Sequence, residues 1–186
     1  MLHDPGHIEA VPIAESIDLS QPDMDNLSFL AEQKAEIASN PIHKQKEKMW
    51  TDMNNLSQTR PMVWINEVCW NEMNVNDELT LRCEHPWARQ QEVQLRQEIY
   101  QWKHFPADMV VSDTISCPLA MHSTDFGVVE DVDIVKTDED NSVVSRHFNR
   151  LIKDPEDIEK IKMPLITHND RASEIRLEKT KEIYRD

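Results

Sequence analysis

RPMVWINE at residues 60–67, HPWARQQEVQLRQEIYQWKH at 85–104 and MVVSD at 109–113 are the three pieces on which the fold reading turns. Arg60-Pro-Met-Val-Trp-Ile65 is a short apolar run behind a proline, the pattern of a buried strand, and polar Asn66 and Glu67 close it. The second piece reads as a helix. Pro86 suits a first turn, Ala88, Leu95, Ile99 and Trp102 recur at helical spacing, and Phe105-Pro106 stops the run. Met109-Val110-Val111 predicts a second buried strand, closed by Ser112 and Asp113. Strand, long helix, strand is the order of a parallel βαβ unit, so the expected class is α/β.

Outward from this centre the pattern changes. Residues 1–40 carry Pro5, Pro12 and Pro22 among acidic and polar residues, and they predict an N-terminal arm, partly helical from about Asp25 to Ala38. Pro41 suits the first turn of a further helix, to about Ser57. After Gly127 the apolar period drops to two. Val128, Val129, Val132, Ile134 and Val135 run into the polar turn Thr137-Asp-Glu-Asp-Asn141, and Val143, Val144 and Phe148 answer it, which predicts an acidic-tipped β-hairpin. Asp154-Pro155 opens a short helix to about Lys162, and a charged helix is expected from about Asp170 to Tyr184.

Composition excludes several functions. Asp and Glu outnumber Lys and Arg 35 to 20, for a net charge of −15. A protein that coats nucleic acid or an anionic membrane needs the opposite sign, so neither is expected as a partner. Two glycines, Gly6 and Gly127, cannot build a phosphate loop or a dinucleotide fingerprint. Cys69, Cys83 and Cys117 are sparse and odd in number, as in a reducing compartment, and the N-terminus lacks the basic and apolar regions of a signal peptide. A cytoplasmic location is the expectation.

Candidate chemistry lies first at the ends of the two predicted strands. In parallel α/β folds the ligand sits at the C-terminal strand ends, so Asn66, Glu67, Ser112 and Asp113 would share one acidic rim. The competing reading is ordinary capping where a strand meets a loop. Cys83, His85, Cys117, His122 and Asp125 are metal-ligating types, but their spacing matches no closed zinc motif and no metal site is assigned to them. Nor does the order of residues reveal a Ser-His-Asp nucleophile.

Taken together, Arg60-Pro-Met-Val-Trp, Cys83-Glu-His-Pro86, Gln101-Trp-Lys-His104, Phe105-Pro-Ala-Asp108 and Val111-Ser-Asp-Thr-Ile-Ser-Cys-Pro118 resemble the first part of the uroporphyrinogen decarboxylase family. The similarity is greatest to its bacterial uroporphyrinogen-decarboxylase-like branch, and the superfamily includes corrinoid- and zinc-dependent methyltransferases. It spans about Pro41 to Asp186, so residues 41–186 are expected to be the N-terminal portion of such a domain. The fold it implies is the N-terminal part of a (β/α)8 TIM-type barrel, incomplete, with the hairpin inserted, since a whole barrel takes about 250 residues. An open barrel edge would favour self-association.

The resemblance also implies residue roles. The family places an aspartate five residues before a proline; Asp113 and Pro118 match, which makes Asp113 the catalytic candidate, with Asn66, Glu67 and Ser112 binding substrate. In the decarboxylases, arginines after Val-Trp clamp substrate carboxylates, whereas Asn66-Glu-Val-Cys-Trp-Asn71 has none. The expected function is therefore corrinoid-linked methyl transfer, with porphyrinogen decarboxylation as the alternative and a non-catalytic fragment acting through a partner chain as the third reading. Zinc and corrinoid would belong to a full-length parent rather than to this chain, and a corrinoid protein or small molecule would be the substrate.

Overall fold

The computed structural model describes residues 16–135 and 144–184 of the 186. The start of the predicted arm and the hairpin turn Thr137–Asn141 lie outside the described residues. Those described form five α-helices, one 3-10 helix and two separate two-stranded antiparallel sheets. This corrects the fold expectation. Strands and helices do not alternate, no parallel pair occurs among the described residues, and the chain is not the first part of a TIM-type barrel. None of the described helices is long and apolar enough to cross a membrane. The chain divides into two units, Ile17–Cys117 with Glu178–Asp186, and Met1–Ser16 with Pro118–Leu177.

The first unit is helical. α1 (Gln21–Ala38) starts where the Ser20 hydroxyl accepts from the Asp23 N–H, with Pro22 in its first turn. α2 is Ile42–Asn54, α3 the single turn Trp70–Met73, and α4 Pro86–His104, whose N-cap His85 accepts from the Trp87 N–H. α1 packs on α4, and Leu27, Leu30, Trp87, Ala88 and Leu95 are buried there or close by. The segment from Gln21 to Ala38 is helical, as expected from about Asp25 onward, and it packs on α4 with Leu27 and Leu30 buried. The end of α5 (Asp170–Ile183) joins this unit through Ile183, whose carbonyl accepts from the Ser28 hydroxyl at 2.9 Å.

Neither predicted strand forms, and the hydrogen bonds give the reason. Met109 and Val111 are buried, but side chains of α2 take the polar backbone around them. Lys46 donates to the Ala107 carbonyl at 2.8 Å, Trp50 Nε1 to that of Asp108 at 2.8 Å, and Val111 N–H donates to His43 Nδ1 at 3.2 Å. Backbone groups satisfied by side chains need no neighbouring strand. The 60–65 stretch meets this segment at one residue, where Val63 O accepts from the Asp108 N–H at 3.1 Å. Val63 and Trp64 are exposed, so an apolar run read as buried is largely on the surface.

The second unit holds the strands. β1 (Met121–Ser123) pairs antiparallel with β4 (Ile166–His168), and β2 (Val132–Val135) with β3 (Ser145–Phe148) in the register Val132 to Phe148. The latter pair is the hairpin that the period-two pattern predicts, and it decorates no larger sheet among the described residues. Pairing extends beyond β1 and β4, since Thr124 N–H donates to the Leu165 carbonyl and Lys162 N–H to that of Phe126. Gly127 ends this ribbon at φ +72°, where an added Cβ would stand 3.0 Å from Lys162 Cγ, so glycine suits the turn on both counts. The 3-10 helix Pro155–Lys160 follows β3. The only buried hydrophobic residues described in Pro118–Leu177 are Ala120 and Ala172.

Candidate functional site

The most concentrated buried chemistry is built on α4. Glu92 follows Ala88 by four residues and precedes Leu95 by three, so helical geometry turns its carboxylate into the core, where it is 0% exposed. Its oxygens accept from the N–H of Arg82 at 2.9 and 3.0 Å, the N–H of Cys83 at 2.8 Å, Asn26 Nδ2 at 2.9 Å and Arg96 Nε at 2.8 Å. Burial pushes the Glu92 pKa up, but those donors outweigh it and hold the carboxyl below its ordinary value. Asp23, at the start of α1, has the same balance. Burial opposes its charge, yet the N–H groups of Glu84 and His85 and the Ser20 hydroxyl keep its pKa lowered.

Between these carboxylates lies Cys83, 1% exposed. Burial first, with Glu92 and Asp23 nearby, pushes its thiol up to about 12, although Asn26 donates to the sulfur at 3.2 Å. A thiol so far from ionisation is neither a nucleophile nor a ready metal ligand. Chemically the arrangement is a clasp. It pins the 82–85 loop between α1 and α4, with Glu92 ion-paired to Arg96 and the Asp23 carboxylate held by backbone N–H groups.

A second junction links two stretches that carried the family resemblance. Arg60 forks onto Asp108, Nη1 to Oδ2 at 2.9 Å and Nη2 to Oδ1 at 2.5 Å, and Val63 N–H donates to Oδ2 at 2.8 Å. Arg60, then the Val63 N–H, hold the Asp108 carboxyl well below the usual carboxylate range. Arg60 therefore spends its guanidinium on an internal aspartate.

The residues predicted to act are elsewhere on the surface of this unit. Asn66 and Glu67 follow the Val63 junction on one loop, and Ser112 and Asp113 follow Val111 on another. All four are exposed. Ser112 Oγ and Thr114 Oγ1 are 2.8 Å apart, the Thr114 carbonyl accepts from Lys34 at 2.8 Å, and no hydrogen bond or ion pair among the described residues engages the Glu67 or Asp113 carboxylate. The parallel-strand argument for one shared rim lapses because neither stretch is a strand. What ties the two stretches is Arg60 and Val63 against Asp108.

No group of three or more His, Cys, Asp or Glu positioned for a metal ion occurs among the described residues. Cys83 lies in the clasp, His85 caps α4, and Cys117 is partly buried. Sequence reasoning missed Glu92, Asp23, Asn26 and Asp108. A signal for Glu92 was present, as a carboxylate inside an apolar helical stripe demands a partner, and Arg96 stands at the i+4 position. The tie between Arg60 and Asp108, 48 positions apart, left no such mark. No protein-family model, no curated protein and no solved structure matches the chain.

Proposed function

We propose that this chain is a uroporphyrinogen-decarboxylase-like component that serves corrinoid-linked methyl transfer in association with a partner chain. The observation that carries the reading is electrostatic. Glu67 and Asp113 are exposed carboxylates without a hydrogen-bonding or ionic partner among the described residues, and Asn66 to Asn71 contain no arginine. Such a surface attracts a cationic or metal-centred group and repels a polycarboxylate. Arg60, the cation nearest in sequence to Asn66 and Glu67, is committed to Asp108. Asp113 is the residue through which the chain would act, with Asn66, Glu67 and Ser112 orienting the ligand. The partner is needed because Pro118–Leu177 leaves Phe126, Val129, Met163, Leu165 and Ile166 open to water.

Two titrations test the reading, methylcobalamin followed by absorbance and uroporphyrin by fluorescence. The corrinoid is expected to bind, more weakly by about tenfold in Asp113→Asn and Glu67→Gln, and the porphyrin is expected not to. Tighter binding of the porphyrin would favour decarboxylation instead. Binding of neither, or corrinoid binding indifferent to both substitutions, would overturn the assignment.

A further inference from the structure

We propose that Ser173, His168 and Asp170 form a nucleophilic serine site that accepts acyl groups from small esters. His168 is the last residue of β4, and Asp170 and Ser173 lie in the first turn of α5. Asp170 Oδ1 is 2.8 Å from His168 Nδ1, and His168 Nε2 is 2.8 Å from Ser173 Oγ. The order is carboxylate, imidazole, hydroxyl, each at hydrogen-bond distance, and it belongs to the constellation that activates serine in unrelated folds. Six consecutive residues hold it, because the strand stops and the helix starts between His168 and Asp170.

The protons can be placed from these contacts. A carboxylate at Nδ1 retains the hydrogen there, so Nε2 of the neutral ring is bare and accepts. The hydrogen facing it is that of the Ser173 hydroxyl. Ser173 Oγ also accepts from the Ala120 N–H at 2.9 Å and lies 3.0 Å from the Asn169 carbonyl. One hydroxyl proton thus has two acceptors. The neutral imidazole, at the shorter distance, takes it; a protonated imidazole would donate to Oγ and turn the proton to Asn169. Around the ring stand Asp170 on its own turn and Met121 across the ribbon, while His122 pairs with the adjacent Thr167 and Arg176 points to the Leu119 carbonyl at 3.5 Å.

The chemistry balances with water alone. Ser173 Oγ adds to the ester carbonyl carbon as its proton passes to Nε2. The N–H groups of Ala172 and Ser173 are already taken by Asn169, so the oxyanion is favoured only by the N-terminal dipole of α5. Collapse breaks the carbon–oxygen bond to the alcohol, which leaves with the proton from Nε2. Water then adds to the acyl-serine, gives a proton to Nε2, and the acid departs as Oγ recovers that proton. Ser173 is half-buried and Asp170 exposed, so substrate reaches the hydroxyl but water weakens the hold of the carboxylate on the ring.

The experiment uses the whole chain with p-nitrophenyl acetate and, separately, a fluorophosphonate label read by mass spectrometry. Hydrolysis should exceed that of equimolar free imidazole by about 10²-fold, the lower end for positioned general-base catalysis. The label should sit on Ser173. His168→Gln should abolish both, and Asp170→Asn should reduce the rate by about tenfold. Ser173→Ala also loses the acceptor for Ala120, so its fold is checked by circular dichroism. His168→Gln leaves the Ala120 and Asn169 contacts of Ser173 in place. Activity retained in folded His168→Gln, a label on another residue, or hydrolysis no faster than imidazole would each overturn the proposal.

Discussion

Glu92 and Cys83 share one buried nest and give opposite pH signatures. The native pKa of Glu92 is depressed, so the stability it contributes is present above its unfolded value and is lost as pH falls through the carboxylate range. Glu92→Ala leaves Arg96 buried and unpaired, and a loss of about 3–5 kcal/mol is expected in urea unfolding at neutral pH. The difference from the parent chain should shrink as pH falls below the ordinary carboxylate range, where Glu92 takes up a proton and the pairing with Arg96 is lost. Cys83 runs the other way. Its native pKa is raised to about 12, so its contribution is intact below its ordinary value of 9.0 and is lost as pH climbs from there. Tyr184, also raised by burial, adds to that alkaline loss. In the folded chain iodoacetamide should modify exposed Cys69 and leave Cys83 untouched until denaturant is added; rapid labelling of Cys83 at neutral pH would contradict the burial argument.

At the scale of elements, α1 against α4 is the contact that organises the helical unit. Leu27 is fully buried in it, and Asn26, one position before, reaches Glu92. Leu27→Ala should cost about 2–5 kcal/mol by loss of transfer energy and creation of a cavity, measured as a shift in the chemical-unfolding midpoint at unchanged slope. A cost within the scatter of exposed positions would mean that α1 is loosely held. α4 was readable because a 3.6-residue stripe, an N-terminal proline and a C-terminal Phe105-Pro106 agree. The hairpin was readable from its period of two. The strands expected at 60–65 and 109–111 were misread because a short apolar run records only that the backbone is extended or buried, not what its N–H and C=O groups bond to. Around 107–111 His43, Lys46 and Trp50 supplied the partners.

Over the whole molecule the two units differ in what they bury. Ile17–Cys117 encloses leucines, a tryptophan and the charged clasp, whereas Pro118–Leu177 encloses, among described hydrophobic residues, two alanines. Amide exchange should therefore be slowest in α1 and α4 and fast through β1 to β4, because opening a region with little buried apolar area costs little. Slow exchange throughout 118–177 in the isolated chain would remove the need for a covering partner. At −15 the chain also repels itself, and moderate salt should raise its melting temperature. Charge, the scarcity of glycine, the boundaries of α4 and the hairpin were determined by sequence alone, since each rests on composition or on residues a few positions apart. The family resemblance came from the same strings, yet those at 60–64 and 105–108 meet as an internal joint, Arg60 on Asp108. Only tertiary structure decided that Glu92 is paired, that Asp113 and Glu67 stand on separate exposed loops, and that buried extended backbone bonds to side chains. The physical reason is distance along the chain: local periodicity reports which side of a segment is apolar, while the partners of a carboxylate or an amide 48 or 68 residues away exist only once the chain has closed on itself.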